Sequence, residues 1–358
     1  MRKYYTRPCN FYYGNYAKNL INQRKAYSLA GRTDIAFDQI EIFTKKKKRI
    51  IKSKFLNISE IKRLDGKSAL LIRNDLKKII TIRKKIKNLK FQKPQIMGVL
   101  NITPDSFSDG GLFCTVSKAK KQIKSMIDGG ASIIDIGGES TRPGSKTLDE
   151  KEEWKRIESI VVKFKKNFPK IILSLDTRKS YVMRQGFSFD ADIINDVSGL
   201  RFDKNSFSTI KSKKKPFILH HMKGAPATMQ NNPTYDDVLL DIFDFFESKI
   251  KFCEKKGFSR NSIIIDPGIG FGKNLDHNLQ LLSKISIFHS LGTPILIGAS
   301  RKRFIEHIVT KFDTSDRVGG TLAAVLYGLS QGVQLFRVHN VKEINQGILV
   351  FNKILNTN

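Results

Sequence analysis

The stretch Ser132-Ile133-Ile134-Asp135-Ile136-Gly137-Gly138 decides how the chain is read. It is a short β-branched run that ends in polar and glycine residues, and helical periodicity follows over 149–168 before a second such run at 171–177. Outward from it the same unit repeats. Further runs lie at 96–103, 192–197, 217–222, 262–268, 294–300 and 334–340. Helical patterns lie at 117–128, 179–189, 204–214, 235–256, 276–287, 315–331 and 341–355. Ser117 and Asp149 stand where N-caps belong, and Gly129, Gly130 and Gly257 where helices stop. Eight strand–helix units in about 260 residues is the arithmetic of a (β/α)8 TIM barrel. A doubly wound open sheet is the alternative. It asks for a Gly-rich dinucleotide turn after its first strand, and none is present.

Residues 1–92 do not share this rhythm. Residues 35–43 alternate weakly like a strand, and 69–89 mix apolar and basic residues without a clean period. The expectation is a small basic α/β or α+β appendage of unassigned role over 1–92, joined near 91–94 to a catalytic barrel over 93–358. A chain beginning near Gln92 is expected to keep the barrel's chemistry.

Composition narrows the class. The 358 residues are 40% hydrophobic, enough for a real core, so global disorder is excluded. Lys+Arg number 64 against 33 Asp+Glu, a net charge of +31, and residues 1–93 carry 26 of those bases against 6 acids. Nucleic acid or an anionic membrane would be attracted to such a segment, but Lys exceeds Arg throughout, which fits Lys spent on solvated positions. Nucleic acid and membrane are therefore not expected partners. No apolar run approaches the roughly 18–20 residues that span a bilayer. The first residues lack the apolar core of a secretory signal, and Cys9, Cys114 and Cys253 are too scattered for a disulfide framework or a zinc site. A cytoplasmic, reducing compartment is expected.

In a barrel of this type the active site is built where strands end. The ends here are Asn101, Asp135, Asp176, Asn195 with Asp196, His221 with Met222, Asp266, Ser300 with Arg301 and Lys302, and Arg337 with His339. Any one could be a cap or a loop residue. Eight polar ends on one rim are hard to explain as caps. Asp135, Asp176, Asn195 and Asp266 suit a flat heterocycle with N–H and NH2 donors, while Arg142, Lys302, Arg337 and His339 suit phosphate oxygens. A zinc site from His220, His221 and the carboxylates is the weaker alternative, since adjacent strand residues point to opposite faces. His277, His289 and His307 are expected at the surface. Two long loops, 101–111 and 137–145, carry glycine hinges and are candidate lids over the mouth.

These residues carry a resemblance. Met97-Gly98-Val99-Leu100 leading into 101–111 resembles the first signature of the dihydropteroate synthases, and Ile133 through Gly144 the second. Leu175-Asp176-Thr177, Ile194-Asn195-Asp196-Val197, Asp266 through Lys273, Ser300-Arg301-Lys302 and Arg337-Val338-His339 are similar as well. Residues 5–43 are similar to an N-terminal extension of some proteobacterial members. Arg178 and Gln122 depart from the family pattern.

The resemblance implies that 6-hydroxymethyl-7,8-dihydropterin diphosphate condenses with 4-aminobenzoate, giving 7,8-dihydropteroate and diphosphate with Mg2+ assisting. It implies that Asp176, Asn195, Asp266 and Lys302 hold the pterin, with Asp135 and Met222 beside them. Asn101, Arg337 and His339 would hold the diphosphate, Asn101 also meeting Mg2+. Phe107, Thr141, Arg142, Pro143, Phe271, Ser300 and Lys302 would shape the aminobenzoate pocket. The groups expected to carry the chemistry are Asp176, Asp266, Lys302, Arg337 and His339, in a homodimer. The alternatives are a methyltetrahydrofolate-dependent methyltransferase, which has no use for a diphosphate site, and an inactive basic barrel that binds nucleic acid, which needs no full set of strand-end groups.

Overall fold

A computed structural model describes residues 3–46, 49–102, 111–140, 144–309 and 317–357, without the side chains of 49–51, 67 and 111–115. Phe107, Thr141, Arg142 and Pro143 lie outside the described residues. A four-stranded antiparallel sheet comes first along the chain. Strand β1 (Tyr4–Tyr13) pairs with β3 (Ile35–Lys46), which pairs in turn with β2 (Tyr27–Ser28) and β4 (Arg49–Asn57). Helices α1 (Gly14–Asn22), α2 (Ile58–Arg63) and α3 (Gly66–Ile80) complete an α+β appendage. The run that showed no clean period contains most of α3. Its Ala69, Ile72, Leu76 and Ile79 recur every three or four residues and are buried, one face of a helix whose other faces are basic or exposed.

The barrel alternates as its sequence demands. Its strands are β5 (Gln95–Asn101), β6 (Ile133–Gly137), β7 (Ile172–Asp176), β8 (Ile193–Asp196), β9 (Phe217–His220), β10 (Ile263–Asp266), β11 (Leu296–Ile297) and β12 (Leu335–Val338). Between and after them run α4 (Gly111–Asp128), α5 (Glu150–Asn167), α6 (Ser180–Ser188), α7 (Ser206–Ser212), α8 (Val238–Lys255), α9 (Leu275–Ser283), α10 (Arg303–Val309), α11 (Val318–Ser330) and α12 (Val341–Leu355). The parallel order is β10-β9-β8-β7-β6-β5-β12-β11, and a bridge from Ile265 to Ile295 joins its two ends into a closed ring. The fold is the (β/α)8 barrel read from the sequence.

Some boundaries differ. Helix α4 begins at Gly111, so Ser117 lies inside it and is not its cap. Asp149 does cap α5, accepting from the backbone N–H of Lys151 at 2.8 Å. The pattern over 276–287 breaks into α9 and a 3-10 segment, Ile285–Leu291, which ends on Gly292 at φ +78°.

Each strand contributes one side chain to an apolar ring at the barrel's base: Met97, Ile133, Ile172, Ile193, Ile218, Ile264, Leu296 and Leu335. Ile86, Leu89 and Phe91 pack into the same cluster, held by a tight bridge between Ile86 and Leu89. The appendage sheet covers the flank beside the 3-10 segment. Tyr5 and Phe43 join the barrel's outer core, and the Tyr5 hydroxyl donates to Asp244 on α8 at 2.8 Å. Lys45 is not solvated like an ordinary surface lysine: it is buried and paired with Asp244 at 2.9 Å. Buried Arg83 donates to the carbonyl of His289 at 2.9 Å. His289, expected at the surface, is itself fully buried, its Nε2 2.9 Å from the Gln331 carbonyl.

A chain starting near Gln92 therefore lacks part of the barrel's own base. Burying each of Ile86, Leu89 and Phe91 stabilises by about 1.5–3 kcal/mol, together comparable with a domain's whole net stability of roughly 5–15 kcal/mol. The truncated chain should fail to give a cooperative urea transition, and Leu89→Ala alone should lower stability by about 2–5 kcal/mol. A truncated chain that unfolds cooperatively at the midpoint of the full chain contradicts this packing.

Candidate active site

Side chains alternate along a strand, so the residue two beyond each base-ring position also points into the barrel. That step gives a second ring of Val99, Asp135, Ser174, Asn195, His220, Asp266, Gly298 and Arg337. Two residues further lie Asn101, Gly137, Asp176, Val197, Met222, Gly268, Ser300 and His339. The barrel is thus apolar at its base and polar toward its mouth.

Arg337 binds the second ring to the third. Its Nε donates to Asp135 Oδ2 and its Nη2 to Asp176 Oδ2, both at 2.7 Å. Asp135 is fully buried and also accepts from Ser174 Oγ at 2.6 Å and Asn195 Nδ2 at 3.0 Å. Both of its oxygens are committed, so it aims Asn195 and Arg337. Burial works against the Arg337 charge, but Asp135 and Asp176 outweigh it and hold its pKa above the ordinary value. Burial pushes the Asp176 carboxyl up, with Arg337 opposing and Asp135 adding. Asp176 Oδ1 and Asn195 Oδ1 are buried and have no hydrogen-bond partner among the described residues. Each such acceptor costs about 1–3 kcal/mol until a donor meets it. Two neighbouring ones are a place for a ligand's N–H groups.

Asp266 stands in the second ring on β10, two strands from Asn195 on β8. Its Oδ1 accepts from the Gly268 N–H at 2.8 Å, and burial raises its pKa to about 6 against that N–H, Lys302 and Arg337. Gly268 sits at φ +69°, and a Cβ there would lie 1.9 Å from the His221 carbonyl, so only glycine lets the loop return over Asp266. Gly298 leaves the same space open from β11, since a Cβ there would come within 3.6 Å of Asp266 Oδ2. Lys302 Nζ lies 3.9 Å from the centre of the Phe271 ring, which packs with Met222 and Met229. Ser300 Oγ lies 3.0 Å from His339 Nδ1. Arg301 takes a left-handed backbone, φ +58°, and turns its guanidinium to Asn340 Oδ1 at 2.8 Å, away from that pair.

Parity separates neighbours that the sequence could not. Asn195 faces the barrel, while Asp196 accepts from Ser198 and Leu200 in the following loop. On β9 it is His220, not His221, that faces Asp266, while His221 packs against Phe245. The described part of the 137–145 loop is tied down by buried Glu139, which accepts from Arg178 at 2.9 Å, Lys179 at 2.8 Å and the Leu148 N–H at 2.9 Å. Lys273, also buried, donates to the Phe271 carbonyl at 2.9 Å. None of Glu139, Lys179 or Lys273 was singled out from sequence, and their burial shows only in the fold.

A family model described as pterin binding enzyme matches residues 97–339, which run from the base of β5 to the last strand end. The chain belongs to the pterin-binding enzyme family. A dihydropteroate synthase of Escherichia coli is 39% identical over 268 residues, covering 75% of this chain and 94% of the relative. A crystal structure of the Yersinia pestis dihydropteroate synthase with a sulfonamide drug complex superposes with TM-score 0.71 at 38% identity, covering 76% of this chain and 98% of that one. The Xanthomonas albilineans dihydropteroate synthase with 4-aminobenzoic acid gives TM-score 0.70 at 36% identity, covering 75% and 96%. Residues 1–96 lie outside the family model.

The Asp266 carboxyl gives a stability test with a definite sign. Its pKa rises from 3.8 to about 6 in the fold, so its favourable contribution is full below pH 3.8 and is lost as pH rises through 6. Two pKa units correspond to about 3 kcal/mol. Asp266→Asn should raise the urea midpoint above that of the natural chain at pH 8 and lose the advantage at pH 4. The reverse ordering contradicts a destabilising, ionised carboxylate at neutral pH.

Proposed function

We propose that this chain is a dihydropteroate synthase, a transferase of folate biosynthesis. It joins 6-hydroxymethyl-7,8-dihydropterin diphosphate to 4-aminobenzoate and releases diphosphate. The observation that carries the reading is the pair of buried acceptors without a partner among the described residues, Asp176 Oδ1 and Asn195 Oδ1, in the same barrel as buried Asp266. A heterocycle with a guanidine-like edge supplies donors to such acceptors. A methyltetrahydrofolate-dependent methyltransferase would share them but would not need Lys302, Arg337 and His339 on one rim.

In this reading Asp176, Asn195, Asp266 and Lys302 hold the pterin, with Met222 beneath it and Asp135 aiming Asn195 and Arg337. Asn101, Arg337 and His339 take the diphosphate. Phe271, Ser300 and Lys302, together with Phe107, Thr141, Arg142 and Pro143, form the arylamine pocket. The bond from the pterin methylene carbon to the diphosphate oxygen breaks, its electron pair leaving on oxygen. The amine nitrogen forms the new bond to that carbon and gives up a proton. Cations at the rim neutralise the departing charge, and the carboxylates of Asp176 and Asp266 favour the positive charge developing on the pterin. Exclusion of water by the loops keeps that electrophile from being trapped as the alcohol.

Mg2+ is the metal we propose. Among the described residues no cluster of three His, Cys, Asp or Glu side chains could hold a metal unaided. The amide oxygen of Asn101 is a hard donor of the kind Mg2+ accepts when substrate phosphates supply further oxygens. The bound ion would supply charge neutralisation at the leaving diphosphate. No helix among the described residues is long and apolar enough to cross a membrane, and we propose a cytoplasmic enzyme. The expected homodimer finds support in an apolar groove on the helical layer, lined by Leu279, Phe304, Ile308 and Tyr327. In the division of labour we propose, every site group belongs to 93–358, and 1–92 brace the barrel.

Turnover should require the pterin diphosphate and Mg2+, and the pterin alcohol should give no product. Efficient condensation of the alcohol excludes this mechanism. Asp266→Ala should weaken binding of a pterin analogue by about 2–5 kcal/mol, read by isothermal titration. Unchanged affinity means that the carboxylate does not meet the ring.

A further inference from the structure

His220 is the titratable residue of the second ring that the reaction above does not use. On β9, Phe217 and Leu219 join the outer core and Ile218 the base ring, so His220 points into the barrel. It is buried, edge-on to Phe271 with ring centres 4.6 Å apart. Its Nδ1 lies 3.1 Å from the Val197 carbonyl oxygen. A carbonyl can only accept, so Nδ1 carries the ring proton and Nε2 presents a lone pair. That lone pair faces Asp266 Oδ2 at 3.9 Å.

Two acceptors facing each other away from water repel unless a proton lies between them. The surroundings decide where it resides. Lys273 from the loop after β10, Lys302 after β11 and Arg337 on β12 all act on this imidazole. The charges of Lys302 and Arg337 disfavour another positive charge. Burial and these charges keep His220 well below the ordinary histidine range, so where the pair holds a proton, below about pH 6, it sits on the carboxyl.

We propose that His220 is a positioning residue for the pterin site. Its Nε2 lone pair favours the carboxylic-acid form of Asp266 when no ligand is bound, and this sets the lower edge of the pH range in which the heterocycle is held. When ring N–H donors take the carboxylate, the carboxyl proton passes to solvent and the contact with Nε2 is given up. The inference rests on Asp266 as an acceptor for the pterin edge, the reading made under Proposed function.

Two measurements on the full chain test it. The first is 15N NMR of the ligand-free protein, which should show His220 neutral and protonated on Nδ1 from pH 5 to 8. A proton on Nε2, or a doubly protonated ring near neutral pH, overturns the proposal without any variant. The second is isothermal titration with 6-hydroxymethylpterin over the same range for the natural chain and His220→Met, which removes the acceptor at similar volume. Affinity should fall about tenfold per pH unit below the limb. In His220→Met the limb should move toward acid by about one unit, a tenfold gain in relative affinity below it. A limb that stays or moves toward alkali overturns the proposal. If the natural chain binds no pterin at any pH while His220 shows the stated tautomer, the pairing stands and the pterin reading of the site fails.

Discussion

Alternation along a strand is the constraint on which this molecule depends. Eight parallel strands closed into a ring leave each strand only a few inward positions, every second residue apart. The apolar ring from Met97 to Leu335 fixes which residues those are, because a slip of one would put eight large apolar side chains on the wrong face. Everything above follows from that register. Asp135, Asn195, Asp266 and Arg337 stand one step above the base, and Asn101, Asp176, Ser300 and His339 two steps above it.

Those upper steps are held at a cost. Three carboxylates, Asp135, Asp176 and Asp266, are buried, Asp176 Oδ1 and Asn195 Oδ1 have no partner among the described residues, and Asp266 is pushed well above its solution pKa. Arg337 offsets part of this by bridging Asp135 and Asp176. The rest must come from packing elsewhere: the base ring, the outer core and the appendage that closes both. Sites that await a ligand in an unsatisfied state are where local energetics and global stability diverge.

The barrel was legible in the sequence because its strands are buried on both faces and their β-branched runs stand out against the helices between them. The polar strand ends were legible for the same reason. Which of two adjacent polar residues faces inward was not, since Asn195 and Asp196, or His220 and His221, differ only in parity, and a run of four or five residues does not reveal where the base ring begins. The appendage was harder to read. Strand β1 mixes tyrosines with polar residues, and the basic face of α3 hides its apolar one. Its role was hidden altogether, because Tyr5, Phe43 and Phe91 show as core residues only against the barrel they cover.

The central claim is that the ring of polar groups one and two steps above the base recognises a heterocycle. A crystal structure of the full chain with a pterin analogue tests it most directly. The account predicts the ring's donor edge within hydrogen-bond distance of Asp176 Oδ1 and Asn195 Oδ1, with Asp266 accepting on the opposite side and Arg337 still bridging Asp135. An analogue bound outside the barrel mouth, with those two acceptors still unpartnered, would contradict it.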